Sequence, residues 1–466
     1  MKKLMLSGLI ALLSTQPVLA LDLVETYEKA LSYDSGIAAA RASFEAQDAN
    51  INVVRSNLLP QVSAFGDASY TDSDSDFRDV DYTTLSYGLQ LSQPLFRADA
   101  WFNYESSKFE TESAQAEYNL AQQQLILDAA TAYFNVLRAN DTLTTARATE
   151  AAIQRQYEQA QERYEVGLIA ITEVYEARAS YDDAKTQRIV AEQELDIARE
   201  RLARLTGEYP EQLENLEQDF PLLRPEPMDP TAWEQIALEQ NWQIQSTLFE
   251  LNASEATLRS AKSQRLPTLD LNASYGQSEI NGLDQPGTAV AAQRAGDGTT
   301  TEAVISLSLN VPIYLGGGIQ AGVRRQRSLV DVAEETLRTV RRDVRVNTRS
   351  LFLTVNTNIE SVSALEQTIV SRRSALDATR AGYDVGTRNI VEVLDAERNY
   401  YIALSNYANA RYDYVINTLS LKQSAGTLSP QDLIALNQWL SLAAPGIEAL
   451  ANEDETIEDP VTTPDQ

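Results

Sequence analysis

The chain has 466 residues, 67 of them acidic and 38 basic, for a formal net charge of −29, and it contains no cysteine and no histidine. Those absences remove thiol nucleophiles, disulfides, imidazole bases and the usual zinc sites, so enzymatic chemistry would have to rest on carboxylates, Ser, Lys or Tyr. The acidity argues against nucleic acid as a partner, and reads either as the solubility of an exported protein or as the lining of a negatively charged passage.

Only 19 Gly and 15 Pro in this length point to long elements rather than a string of loop-rich domains. Residues 1–20 carry Lys2 and Lys3, an apolar run over 4–13, and Val18-Leu19-Ala20, the pattern of a signal peptide cleaved after Ala20. No other run reaches the roughly 18 apolar residues of a spanning helix, so a membrane form of the mature chain would have to use strands. Residues 22–57 have a helical pattern, stopped by Leu59-Pro60. Val62, Ala64, Gly66, Ala68 and Tyr70 then alternate with mostly polar residues, and Leu85, Tyr87, Leu89 and Leu91 alternate with Ser86, Gly88, Gln90 and Ser92. The acidic stretch between them, 71–81, reads as a loop. Strands of about ten residues with one apolar and one small polar face suit a transmembrane β-barrel, although one such hairpin by itself better suits a half-buried position on a soluble core.

Residues 98–164 contain no Pro or Gly and predict a helix on the order of 100 Å long at about 1.5 Å per residue. Its Ala- and Gln-rich surface expects close helical neighbours. Gly167 ends it, Thr172 offers a cap, and a return helix runs over about 170–205. Prolines at 221, 225, 227 and 230 mark an irregular join, after which the cycle repeats. Leu266-Pro267 stands 207 residues after Leu59-Pro60. Strands follow at 269–275 and 305–311, within a hairpin of about 268–312 whose loop over 277–301 is Gly-rich. A second long helix covers about 320–383 and a return helix about 390–424. The turns themselves match: RYEVGLIAITEVYEARASYD at 163–182 and GYDVGTRNIVEVLDAERNYY at 382–401 share Tyr, Gly, Ile, Glu, Val, Ala and Tyr at a constant offset of 219. The chain is a tandem duplication, 21–220 followed by 221–426, with 207–230 and 426–442 forming an equatorial region. The tail over 443–466 is acidic and proline-bearing, which predicts disorder.

Two equivalent hairpins favour the barrel. The smallest membrane barrels need about eight strands and this chain offers four, so closure requires more than one copy.

DAATAYFNVL (128–137), AGYDVGTRNIVEVLDAERNYY (381–401), ANARYDYVIN (408–417) and GTLSPQDLIALN (426–437) give the chain a dense resemblance to the TolC family of outer-membrane efflux and secretion channels, over about residues 21–439. The resemblance implies an α+β membrane channel: a homotrimer in the outer membrane of a Gram-negative bacterium, with one 12-stranded β-barrel continuous with a long periplasmic α-helical barrel. It also implies service as exit duct for drug efflux and type I protein secretion, with a periplasmic adaptor and an inner-membrane pump as partners. It implies no cofactor and no enzymatic activity. The rival reading is a structural coiled-coil or adhesin-like outer-membrane protein without a conducting pore.

By position, the resemblance puts Glu392 and Asp395 in an acidic constriction at the periplasmic aperture, where the best-known members have Asp at both and where multivalent cations would block. It joins Tyr383 to Glu173, and Arg388 to Thr172 and Glu173, as a latch that opens when pump and adaptor engage, with Gly167 and Gly386 making the turns at the tip. The residues also carry a plainer reading. Asn389 and Glu392 have the spacing of a capping box, and Asp395 that of a solvated first-turn carboxylate favoured by the helix dipole.

Overall fold

The computed structural model describes residues 21–75, 78–210, 212–282, 298–442 and 444. The expected signal peptide over 1–20, the middle of the Gly-rich loop and the acidic tail lie outside the described residues, Ala444 apart. Each copy of the duplication folds as two shorter helices, a β-hairpin and two long helices. In the first copy these are α1 (Leu23–Tyr33), α2 (Ser35–Ser56), β1 (Gln61–Ser75), β2 (Arg78–Phe96), α3 (Ala98–Glu165) and α4 (Ile171–Thr206). After a short β3 (Asn215–Leu216) come α5 (Pro230–Gln240), α6 (Trp242–Ser263), β4 (Thr268–Asn281), β5 (Gly298–Asn310), α7 (Gly318–Asp384) and α8 (Ile390–Ser424). A short α9 (Pro430–Asn437) and β6 (Leu440–Ser441) close the described chain.

Three local readings change. The single helix expected over 22–57 is broken at Asp34, whose backbone is extended. Its counterpart 207 residues later, Asn241, breaks the second copy in the same way and its side chain accepts from the amides of Gln243 and Ile244. Short polar side chains that bond to nearby backbone favour such caps over helix interiors. The acidic stretch 71–81, expected as a loop, continues the hairpin ladder: Asp72 pairs with Asp81 and Asp74 with Asp79. The loop over 277–301 likewise gives up its ends to β4 and β5. In both cases the ladder satisfies backbone groups that a loop would leave to water, whatever the side chains are.

The contacts divide the chain into two units, Gly36–Ala121 with Ile236–Val346, and Met1–Ser35 with Gln122–Gln235 and Asn347–Gln466. The first holds an antiparallel sheet in the order β1-β2-β4-β5. Its register aligns the alternation of all four strands: Val62, Leu91, Ala273 and Ile305 form one cross-strand row, with Ala64, Leu89, Tyr275 and Ala303 in the next row on that face. The opposite face carries rows such as Gln61, Ser92, Asn272 and Ser306. On the apolar face Val62, Leu89, Ile305, Leu307 and Leu309 are all exposed in the single chain. A continuous bare apolar face of this kind marks a contact with lipid or protein. No described helix is long and apolar enough to cross a membrane.

An aromatic side chain interrupts the polar face. Phe65 heads a row with Gly88 and Gly276, and its ring lies over both glycines: a Cβ on Gly88 would come within 2.9 Å of the ring tip and 2.5 Å of the Tyr275 carbonyl. Helix packing in this unit uses small residues. Ser113 on α3 meets Ser246 on α6, Oγ to Oγ, at 2.9 Å, and Ser106 donates to the Ala253 carbonyl at 3.0 Å.

The second unit packs long helices around Ala- and Leu-lined seams, among them Val136, Leu143, Ala191, Leu195 and Leu202. Where the seam widens, aromatics fill it: Tyr133 and Phe134 are fully buried, and Phe134 packs on Tyr412 at 5.8 Å between ring centres. Both phenols are satisfied. Tyr133 donates to the Glu214 carbonyl at 2.8 Å and Tyr412 to the Asp141 carboxylate at 2.7 Å. Burial, reinforced by Asp141, pushes the Tyr412 phenol well above its usual pKa, so it stays a neutral donor. The residues after helix α4 and those after α9 meet in a two-stranded sheet, Leu216 opposite Leu440.

Replacing Gly88 with Ala forces the Phe65 ring and the neighbouring backbone apart and is expected to cost about 1–3 kcal/mol. A Cβ at Gly66 meets nothing within 4 Å, so Gly66→Ala should leave stability unchanged. Heat denaturation of the detergent-solubilised protein checks the pair: a lowered midpoint is expected for the first variant only.

Candidate functional site at the helical turns

Both long hairpins of the second unit turn on the same backbone device. Gly167 after α3 has φ 75° and Gly386 after α7 has φ 78°. Gly167 N–H bonds to the Tyr164 carbonyl at 2.9 Å and Leu168 N–H to Arg163 at 2.8 Å, while Gly386 N–H bonds to Tyr383 and Thr387 N–H to Gly382, each at 2.9 Å. This paired closure needs a left-handed residue. A Cβ at either glycine would meet nothing within 4 Å, so conformation rather than space demands glycine there.

The helices that leave these turns start differently. At α8 the capping box is complete: the Asn389 side chain accepts from the Glu392 amide at 2.9 Å, and Glu392 reaches back to the Asn389 amide. At α4 the cap position is Ala170 and no side chain caps it, so Thr172 does not serve as the cap expected of it. Thr172 is exposed in the first turn instead.

A buried cluster joins the two turns. Ile153 and Ala160 of α3, Val174 and Ala177 of α4, and Tyr383, Ile390, Val393 and Leu394 of the second hairpin pack together, with Tyr157 and Tyr181 stacked at 6.1 Å beside them. Tyr383 is 8% exposed, and the Arg163 guanidinium lies 4.7 Å over its ring. Its hydroxyl has no hydrogen-bond partner among the described residues.

The polar residues are arranged differently from the expected latch. Arg388 donates to Glu392 across one helical turn at 2.5 Å, and Arg398 pairs with Asp395 at 3.1 Å. Within this chain Tyr383 is not bonded to Glu173, and Arg388 is not bonded to Thr172 or Glu173. The local pair wins for Arg388 because Glu392, one methylene longer than Asp, reaches back to it without any helix having to move. The structure therefore brings Tyr383 into one cluster with the first turn of α4 but leaves the latch bonds unmade. The hydrogen bond from Arg388, with the Asn389 amide behind it, holds the Glu392 carboxyl below the usual glutamate pKa.

Two further residues escaped the sequence reading. Glu397 is 1% exposed, with Oε1 at 2.5 Å from Arg380 of α7 and Oε2 without a partner among the described residues. Only the carboxylate of this pair is buried, Arg380 being 40% accessible, so removing Arg380 would leave an uncompensated buried charge on Glu397. Their separation across the turn matches no helical period, so spacing alone carried no signal for this pair. Arg398, by contrast, was legible as a residue three positions after Asp395.

The chain matches the outer membrane efflux protein family over residues 26–208 and 233–427. It belongs to that family. It is 36% identical to the outer membrane protein TolC of Escherichia coli K12 over 421 residues, covering 90% of this chain and 85% of that one. It is 27% identical over 445 residues to the alkaline protease secretion protein AprF of Pseudomonas aeruginosa, covering 93% and 90% of the two chains. Its fold is shared with the Campylobacter jejuni CmeC outer membrane channel, TM-score 0.73 at 18% identity over 90% of both chains. The open-state MtrE outer membrane channel of Neisseria gonorrhoeae also shares it, TM-score 0.71 at 19% identity, covering 88% and 90%. As an outer membrane efflux protein the chain has the α+β channel fold and acts in the outer membrane as an exit duct for efflux and secretion; its family is one of transport channels rather than enzymes.

Because its pKa is lowered in the folded protein, Glu392 contributes stability above the ordinary glutamate value and loses it as pH falls through the lowered one. A carboxyl-¹³C titration should place the Glu392 midpoint below that of unperturbed glutamates, and Arg388→Gln should raise it. A midpoint that does not move in the variant would show that Arg388 is not the cause.

Proposed function

We propose that the protein works as a homotrimer whose chains each give four strands to one closed 12-stranded barrel, and whose helical turns form a gate at the periplasmic end. A periplasmic adaptor and an inner-membrane pump engage that gate, and exported drugs or proteins pass through it. The observation that carries closure by several copies is the sheet order β1-β2-β4-β5, which leaves β1 and β5 as edges with the apolar face bare; the number three comes from the family resemblance. Unpaired backbone is not tolerated in hydrocarbon, so β5 of one copy pairs with β1 of the next until the ring closes.

In this reading Glu392 and Asp395 line the aperture, and Tyr383 and Arg388 latch against Thr172 and Glu173 when it is shut. Two features support the latch. The Tyr383 hydroxyl is buried with an unused donor beside the first turn of α4, and a buried donor is costly to leave unmade. Glu173, half-buried on that turn, has no side-chain bond among the described residues and can accept.

Purified protein in planar bilayers tests the reading. Channels should form, and Tyr383→Phe combined with Arg388→Ser should raise the conductance severalfold; a protein that forms no channels favours the spacer reading, and unchanged conductance rejects the latch. Glu392→Ala combined with Asp395→Ala should abolish block by multivalent cations, whereas persistent block would put the acidic ring elsewhere.

A further inference from the structure

Four solvent-accessible charges run from the turn into α8, Arg388 just before the Asn389 cap and Glu392, Asp395 and Arg398 within the helix, spaced four, three and three apart, while Glu397 between them is buried. The three within the helix follow one flank of it. The structure pairs them outermost with innermost: Arg388 Nη1 on Glu392 Oε2 at 2.5 Å, and Arg398 Nη2 on Asp395 Oδ1 at 3.1 Å. We infer that Arg398, together with Arg388, turns the aperture into a charge-balanced collar, and that Arg398 is the residue limiting how strongly the collar selects and holds cations. This rests on the reading that Glu392 and Asp395 line the aperture.

The effect is electrostatic rather than one of stability. Both pairs are solvent-exposed, with side chains between 37% and 59% accessible, and pairs of that kind add little to folding. A passing ion, however, feels the sum of all charges within a Debye length of about 8 Å at physiological salt. An arginine in contact with each acid cancels most of the attraction that a bare ring would exert. The two arginines differ in what else they can do. Arg388 is also the proposed latch residue, so its cover over Glu392 depends on the state of the gate. Arg398 has no part in the proposed latch; its side chain pairs with Asp395 and borders a groove with Thr145 of α3, Gln187 of α4 and Tyr401. Its cover over Asp395 therefore does not depend on the latch. Engaging the latch uncovers Glu392 alone, so the acidity of the aperture rises by one carboxylate per chain when the gate is shut.

The experiment compares wild type, Arg398→Gln, Arg398→Lys and the Glu392→Ala, Asp395→Ala double variant in planar bilayers. It reads the reversal potential in a KCl gradient and the concentration of a lanthanide ion giving half-block. Arg398→Gln should shift the reversal potential toward the cation limit and lower the half-blocking concentration about tenfold, because one charge per chain is removed at close range. Arg398→Lys should behave as wild type. If Arg398→Gln matches wild type while the double alanine variant loses block, the aperture reading stands and the balanced collar is overturned. If the double alanine variant is blocked as wild type is, the aperture reading falls and the collar with it.

Discussion

A sheet of four strands with two dissimilar faces and two unpaired edges cannot be a finished structure. The edge strands β1 and β5 each present a row of backbone donors and acceptors, and the face that carries Leu89, Ile305 and Leu307 has nothing on it in the single chain. Hydrocarbon can cover that face but cannot hydrogen-bond those edges. The polar face has the opposite requirement, since Gln61, Asn272 and Ser306 need water. A closed barrel between lipid and an aqueous lumen meets all three conditions, and only further copies of the chain can close it. Membership of an outer membrane efflux family is what this requirement leads one to expect.

The helical unit meets a different constraint. Long helices packed side by side share thin seams rather than one thick core, so Ala and Leu recur along them, and bulky groups are admitted only where the seam widens. The DAATAYFNVL and ANARYDYVIN segments are such places. Phe134 meets Tyr412 there, and the two phenols bind Glu214 and Asp141, so each large side chain also satisfies its polar end.

At the turns, shape and charge separate. Gly167 and Gly386 are required by the backbone, the buried cluster holds the two hairpins together, and the charged residues remain on the surface where they can exchange partners. Glu392 shows how one residue takes two roles: it closes the capping box with one carboxylate oxygen and receives Arg388 on the other. Its capping role was legible as Asn389 followed three residues later by Glu; its pairing with Arg388 was not distinguishable from the alternative in which Arg388 reaches across to α4.

The sequence by itself determined whatever depends on period and repetition. The alternation in four strands, the absence of Gly and Pro through 98–164, the constant offset of 219 at the turns and the turn glycines all follow from rules that act over a few residues, so they can be read in one dimension. The tertiary structure decided what depends on which helix lies beside which. Arg380 finds Glu397 across a turn, Arg163 finds the ring of Tyr383, and Phe65 finds two glycines on separate strands. It also decided that Arg388 stays on its own helix. A guanidinium on a long flexible stem reaches several acceptors at similar distance, and choosing between them takes the positions of the neighbouring helices, which no spacing rule contains.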